Sequence, residues 1–273
     1  MRIQRTDISA PLRQTRFFCV GHRPPAFEPG VAFTMVCPAT FGIAGELVVP
    51  DDCYGPGFHG SILSEYTQLF GLADHLAQLA EKPANVYLFQ YRKFVSCASG
   101  SRRSSNVPHA FASDPAEARE IFPGPEVLAG LPGQLLTSPA LKLERSIALQ
   151  YAIHHLVEDF AALAVACSLS GVLDPNRIGR FINCPIMFPS PALCLMPTPV
   201  FLEMMSTLRK VWQAFVPHFL QKREGYQRRV GGFLLERLHG FLLLDHVTSL
   251  PVERTTVGRL VIVSESEVVQ PTV

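Results

Sequence analysis

Two short β-rich runs on either side of one amphipathic stretch limit the fold of this chain more than any other feature. Residues 16–21 (RFFCVG) form an apolar run that ends in Gly21-His22-Arg23-Pro24-Pro25. Residues 86–95 (VYLFQYRKFV) are β-branched and aromatic, the composition strands prefer. Between them Tyr66, Leu69, Phe70, Ala73, Leu76, Ala77 and Ala80 recur at the three-and-four spacing of one helix face. That spacing predicts a helix over 61–82 with Ser61 or Ser64 as its N-cap. Strand, helix and strand in this order suggest a βαβ unit with a right-handed crossover, and so a parallel sheet. The expected class is α/β, with a mostly parallel central sheet flanked by helices.

The rest of the chain is consistent with that class. A second apolar run, 45–49, ends at Pro50-Asp51-Asp52, and a loop rich in Ser, Pro and Gly covers 96–139, with one short helix at 115–121. Leu149, Ile153, Leu156, Phe160 and Leu163 form one apolar stripe and predict a continuous helix over 144–169. Residues 183–199 read as Pro-rich irregular chain. Helices follow at 198–217, with Pro199 in the first turn, and at about 227–245. A strand is expected at 259–263. One domain over 1–250 and a tail over 251–273 is the expected organisation.

Composition narrows the partners. Apolar residues at 48% and charged residues at 17% suit a sizeable core and exclude disorder for most of the length. A net charge of +1 gives no overall field towards nucleic acid or an anionic membrane. Cations do gather locally, at Arg92-Lys93, Arg102-Arg103, Arg209-Lys210, Lys222-Arg223 and Arg228-Arg229. Such clusters in a neutral protein fit a small anionic ligand, or are scattered solvated charge. The seven cysteines include no CxxC pair, so they read as reduced thiols, and with His22, His59 and His75 they offer no zinc-site spacing. The basic N-terminus lacks the apolar segment of a secretory signal, and runs such as 161–169 are too short to span a bilayer. A cytoplasmic location is expected.

Four constellations could carry chemistry. Gly55-Pro-Gly57-Phe-His-Gly60 matches GxGxxG between a strand and a helix, the context of a dinucleotide loop, or is a Gly-Pro turn before a capped helix. Gln90-Tyr91-Arg92-Lys93 ends a core strand, where α/β proteins bind ligands and where Arg and Lys suit a phosphate. Tyr151, His155 and Asp159 are four apart, so His155 and Asp159 could pair as acid and base, or be a surface pair. Arg229, Gly232, Glu236 and Gly240 share one helical stripe whose glycines mark a close approach, and Arg237 falls on an apolar face where it needs an anionic partner.

Taken in order, these segments resemble a family of bacterial surface-polysaccharide glycosyltransferases found in capsule and O-antigen clusters. The resemblance runs from about 16 to 245. Gly21-His22-Arg23-Pro24, Asp51-Asp52 and Ser64-Glu65-Tyr66-Thr67 match its opening motifs. Gln90-Tyr91-Arg92-Lys93 stands where the family has His-Tyr-Arg-Arg, and Gln150-Tyr151, His155 and Asp159 match its next helix. Asn183 to Phe188 matches a later strand, and Gly232-Phe-Leu-Leu-Glu236-Arg237-Leu238 reproduces the closing Gly-Phe-Leu-x-Glu-Arg-Leu. The family's Trp-rich continuation after Glu65 is absent.

The resemblance implies a GT-A-like fold and a UDP-sugar donor. Donor contacts are then expected from His22, Arg23, Asp52, Glu65, Gln90, Tyr91, Arg92, Lys93, His155 and Arg229. Acceptor contacts fall to Asn183 and Met187, and the base to Glu236 or Asp159. The cations at the strand end lead us to expect no metal and no other cofactor. The expected partners are a nucleotide sugar and a glycan or small-molecule acceptor, with no nucleic acid and at most peripheral membrane contact. A non-catalytic nucleotide- or carbohydrate-binding relative, and an NADP-dependent oxidoreductase using the glycine loop, are the alternatives.

Overall fold

The computed structural model describes residues 15–264 except 101, 108 and 134. The expectation about a secretory signal therefore lies outside the described residues. The chain opens with β1 (Thr15–Val20), β2 (Phe33–Cys37) and β3 (Leu47–Val48), then α1 (Gly60–Leu63), α2 (Tyr66–Gln78) and β4 (Asn85–Phe89). A tight turn leads into β5 (Lys93–Ser96), followed by β6 (Arg102–Arg103), β7 (Phe111–Ser113), α3 (Pro115–Ile121), α4 (Pro125–Ala129), β8 (Leu135–Thr137) and β9 (Leu141–Lys142). Next come α5 (Ile147–His154), α6 (Val157–Leu169), α7 (Pro175–Asn183), β10 (Ile186–Met187), β11 (Cys194–Pro197) and α8 (Thr198–Phe219). A 3-10 turn (Gly225–Arg229), α9 (Val230–Ser249), β12 (Thr255–Val257) and β13 (Arg259–Val263) complete it.

The central sheet runs β12-β8-β11-β4-β1-β2-β3. It is mostly parallel, as expected: β1 pairs parallel with β2 and β4, β2 with β3, and β12 with β8, while β11 is antiparallel to both neighbours. The chain steps from β1 outward to β2 and β3, then returns through α1 and α2 to the opposite side of β1. That reversal makes a topological switch point between β1 and β4, the place where open α/β sheets form a ligand crevice. A smaller sheet, β5-β13-β7-β6, packs beside it.

Alternation along β1 builds two cores. Phe18 and Val20 face the helical side with Tyr66, Phe70, Trp212 and Phe215, while Phe17 and Cys19 face Tyr87, Phe89, Phe94 and Phe122. Burying each such aromatic contributes ~1.5–3 kcal/mol, so both faces of the sheet are strongly specified. Trp212 satisfies its indole by donating to the Gly57 carbonyl at 2.9 Å. No helix among the described residues is long and apolar enough to cross a membrane.

Several expectations need correction. The helix expected over 61–82 breaks at Ser64, whose φ is 58° and ψ −131°, and His59 caps α1 in place of either serine. The run 86–95 is two strands: Gln90 and Lys93 bond to each other across a turn, and Phe94 belongs to the second sheet. The helix over 144–169 breaks at His155, which is extended at φ −141° and ψ 173°. Tyr151 is buried there, whereas Leu149, Ile153 and Leu156 of the expected stripe are exposed. Burying Tyr151 and turning His155 onto Phe233, with ring centroids 4.1 Å apart, takes the place of the straight stripe. Residues 251–264, expected in a tail, supply β12 to the central sheet and β13 to the second. The loop expected over 96–139 also holds β6, β7, α4 and β8, and β2, α7 and β11 likewise go beyond the sequence reading, being short or set among prolines.

Candidate functional site

All four parallel strands from β3 to β4 deliver their carboxyl ends to one cleft of about 580 Å³. Gly21 and His22 follow β1, Pro38 follows β2, Asp51 follows β3 and Gln90–Lys93 follow β4; each lines it. Opposite stand Ser61, Ser64 and Glu65 around the α1–α2 break, with Arg229, Phe233 and Glu236 from the start of α9.

The turn after β4 is clamped from several sides. The Gln90 N–H donates to the Lys93 carbonyl at 2.8 Å, the Tyr91 carbonyl accepts from Ala26 at 2.6 Å, and the Arg92 carbonyl accepts from Val263 at 2.8 Å. The Arg92 guanidinium lies 5.4 Å from the Tyr91 ring centroid, and His22 meets the same ring edge-on at 5.6 Å. Arg92 and Lys93 are thus held on a fixed backbone, so little ordering is left for binding an anion.

The opposite wall is tightly packed. A Cβ on Gly232 would lie 2.8 Å from the Ser64 Cβ, and one on Gly60 would lie 2.2 Å from an Asp51 carboxylate oxygen. These glycines let α9 and α1 close on the site. Asp51 accepts from Gln68 at 3.0 Å. Arg229 donates to the Ser64 hydroxyl at 2.5 Å. Among the described residues, Ser64 and Ser190 are the non-glycine residues with positive φ, and both line the cleft. Such backbone costs ~1–3 kcal/mol and concentrates at functional sites.

The two glutamates differ in surroundings. Burial, and next the neighbouring Glu236, push the Glu65 carboxyl above its usual range, against the Ser64 hydrogen bond and Lys93. Glu236 instead holds the buried Arg237 at 2.7 Å, the anionic partner that guanidinium needs. Arg237 also donates to Gln150 at 3.2 Å. The cleft thus holds two carboxyls, one pushed towards its protonated form by burial and one ion-paired.

Of the residues expected from sequence, His22, Glu65, Gln90, Tyr91, Arg92, Lys93, Arg229 and Glu236 meet here. Arg23 and Asp52 are exposed on the loops just outside, and Asp51 faces the cleft in place of its neighbour. Asp159 is buried in an ion pair with Arg223 at 2.9 Å, away from the cleft wall. His155 shares a hydrogen bond of 3.2 Å with Gln227 behind Phe233. Asn183 caps its own helix by donating to Gly179, and Met187 pairs with Leu141 in the β9–β10 ribbon. Ser64, His59 and Ser190 were missed; the Ser-Glu pair at a helix start was the available signal for the first. In the glycine loop His59 and Gly60 reach the cleft, while Gly57 (φ 85°) packs against Val216.

No protein-family model matches the chain, and neither does any curated protein. The fold is similar to that of the bifunctional glycosyltransferase WbbM in its apo structure, with a TM-score of 0.69 over 92% of this chain at 13% identity. The chain spans 45% of the length of that protein, and at this identity the likeness is one of fold.

Proposed function

We propose that the cleft transfers a sugar from a nucleotide donor, a UDP-sugar, to a hydroxyl of a glycan or glycoconjugate, on a GT-A-like scaffold. The observation that carries this reading is the pairing, across the switch point, of fixed Arg92 and Lys93 with the carboxyls of Glu65 and Glu236. The donor diphosphate lies against Arg92 and Lys93, with His22 and Arg229 beside it. As the acceptor oxygen bonds to the anomeric carbon, the bond to the diphosphate breaks and its electron pair leaves on the phosphate oxygen. Guanidinium and ammonium groups stabilise that charge in place. Glu236 takes the acceptor proton, and Glu65, holding its own proton, donates a hydrogen bond to the sugar.

Metal ions commonly serve the diphosphate in GT-A enzymes. Here Asp51 is engaged by Gln68 and packed against Gly60, and the strand end carries two cations. These features support metal-independent donor binding. The deciding experiment is release of UDP from a panel of UDP-sugars with glycan acceptors. UDP binding without turnover of any donor favours a non-catalytic relative, and binding of NADPH in place of UDP overturns the reading.

A further inference from the structure

A second cavity, about 610 Å³, lies on the far side of the wall that closes the candidate site. The two share elements but not residues. Ser61 and Ser64 face the first cleft while Ile62 faces the second; Arg229 faces the first while Arg228 faces the second; Gly232 and Val230 divide likewise. The α1 turn and the 3-10 turn before α9 are therefore the partition.

The lining of this cavity is amphiphilic. Ile62, Leu220 and Val230 give an apolar wall, and Lys222, Arg223 and Arg228 face Glu224 as three cations against one acid. Arg223 is anchored by Asp159 at 2.9 Å, yet its Nε is buried without a hydrogen-bond partner. The side chains of Lys222 and Arg228 make no ion pair or hydrogen bond among the described residues. Cations left unpaired around a concave site attract an anion, and the adjoining apolar wall accommodates the body that carries it.

We propose that this cavity is a second binding site, taking a ligand in which a phosphate group is joined to an apolar body, with Lys222 and Arg228 as its phosphate ligands. Such a phosphate could belong to a soluble phosphomonoester or to a lipid headgroup; the chemistry recognised is the same. The site does not depend on what the first cleft does.

The probe is phenyl phosphate, titrated calorimetrically into the full chain beside phenol, its uncharged counterpart. A parallel arm measures sedimentation with phosphatidylcholine vesicles with and without phosphatidic acid. Lys222→Gln and Arg228→Gln are exposed substitutions and preserve the fold, so circular dichroism serves only as a check. Each is expected to weaken binding in whichever arm is positive by about tenfold, the loss of one charged hydrogen bond. Arg92→Gln in the first cleft is expected to leave it unchanged. UDP titrated into the same three variants reports on the first cleft separately. Phenyl phosphate binding that Arg92→Gln abolishes, binding insensitive to Lys222 and Arg228, or no binding in either arm overturns the proposal.

Discussion

The Arg229 guanidinium donates to the Ser64 hydroxyl at 2.5 Å, tying the start of α9 to the break between α1 and α2. Ser64 makes this contact from φ 58° and ψ −131°, backbone space that suits glycine. The break is also what sets Glu65 beside the cleft. A continuous helix over 61–82 would have placed Ser64 and Glu65 differently with respect to α9.

Two substitutions at Ser64 separate backbone from side chain. Both Ser64→Gly and Ser64→Ala remove the acceptor of Arg229, but only glycine relaxes at positive φ. Ser64→Gly is expected to be the more stable by ~1 kcal/mol. Urea midpoints of the two variants, compared at equal m-value, check this; equal midpoints would remove the strain.

Glycine positions in helices should respond in opposite directions. A Cβ at Gly232 meets the Ser64 Cβ at 2.8 Å and the Leu63 carbonyl at 3.1 Å, and backbone cannot give way cheaply. Gly232→Ala is expected to destabilise by ~1–3 kcal/mol despite its better helix propensity. Gly179, in α7, has nothing within 4 Å, so Gly179→Ala is expected to stabilise by ~0.5–1 kcal/mol. Chemical denaturation of the pair decides it.

Glu65 gives the fold a signed pH dependence. Its carboxyl is raised in the folded state by burial and then by Glu236, so the native protein binds the proton more tightly than the unfolded chain. The slope of stability against pH is then negative from the ordinary glutamate value upward. This contribution is fully present below that value and is lost as pH rises through the folded one. Glu65→Gln should flatten the slope in that window, and Glu236→Gln should reduce it. Denaturant midpoints measured from pH 4 to 8 show this, and an unchanged slope in Glu65→Gln would refute it.

His239 should act in the opposite sense. Burial lowers its pKa to about 3, with the Tyr66 hydroxyl 3.3 Å from Nδ1, whereas an unfolded histidine titrates at ~6.5. The unfolded chain therefore takes up the proton first as pH falls, and stability declines from about pH 6.5 downward. NMR titration of the His239 ring should show it neutral at pH 5; a charged ring there would contradict this.

For the donor, Arg92→Ala is expected to weaken UDP binding by ~1–3 kcal/mol, the loss of a charged hydrogen bond. Calorimetry with EDTA, then with Mg²⁺ or Mn²⁺, tests metal independence in the same variant series. UDP affinity that appears only with metal would contradict the proposed binding mode.

What the sequence revealed depended on how local its signal was. The β-rich runs at 16–21 and 86–89 and the helix face from Tyr66 to Leu76 carry their periodicity within a few residues, and these set the sheet order around β1. Arg92, Lys93 and Glu236 could be singled out because a cation pair at a strand end and a glutamate on a glycine stripe are themselves local patterns. The break at His155 could not, because it follows from packing on Phe233, distant in sequence. The same holds for Asp51, which faces the cleft because Gly60 makes room for it. Met187 and Asn183 were placed by resemblance alone, and they lie elsewhere.

The Arg92 carbonyl accepts its hydrogen bond from Val263, at the end of β13. Chains are synthesised and tend to fold from the N-terminus. On the ribosome, β1 to β4 can pair long before β13 has emerged, but the turn bearing Arg92 and Lys93 lacks its contact with Val263 until then. Bracing of the cleft is therefore completed by a strand far downstream of it in sequence. A message truncated after codon 258 would yield a protein whose cationic turn keeps its Ala26 clamp but loses the one from Val263.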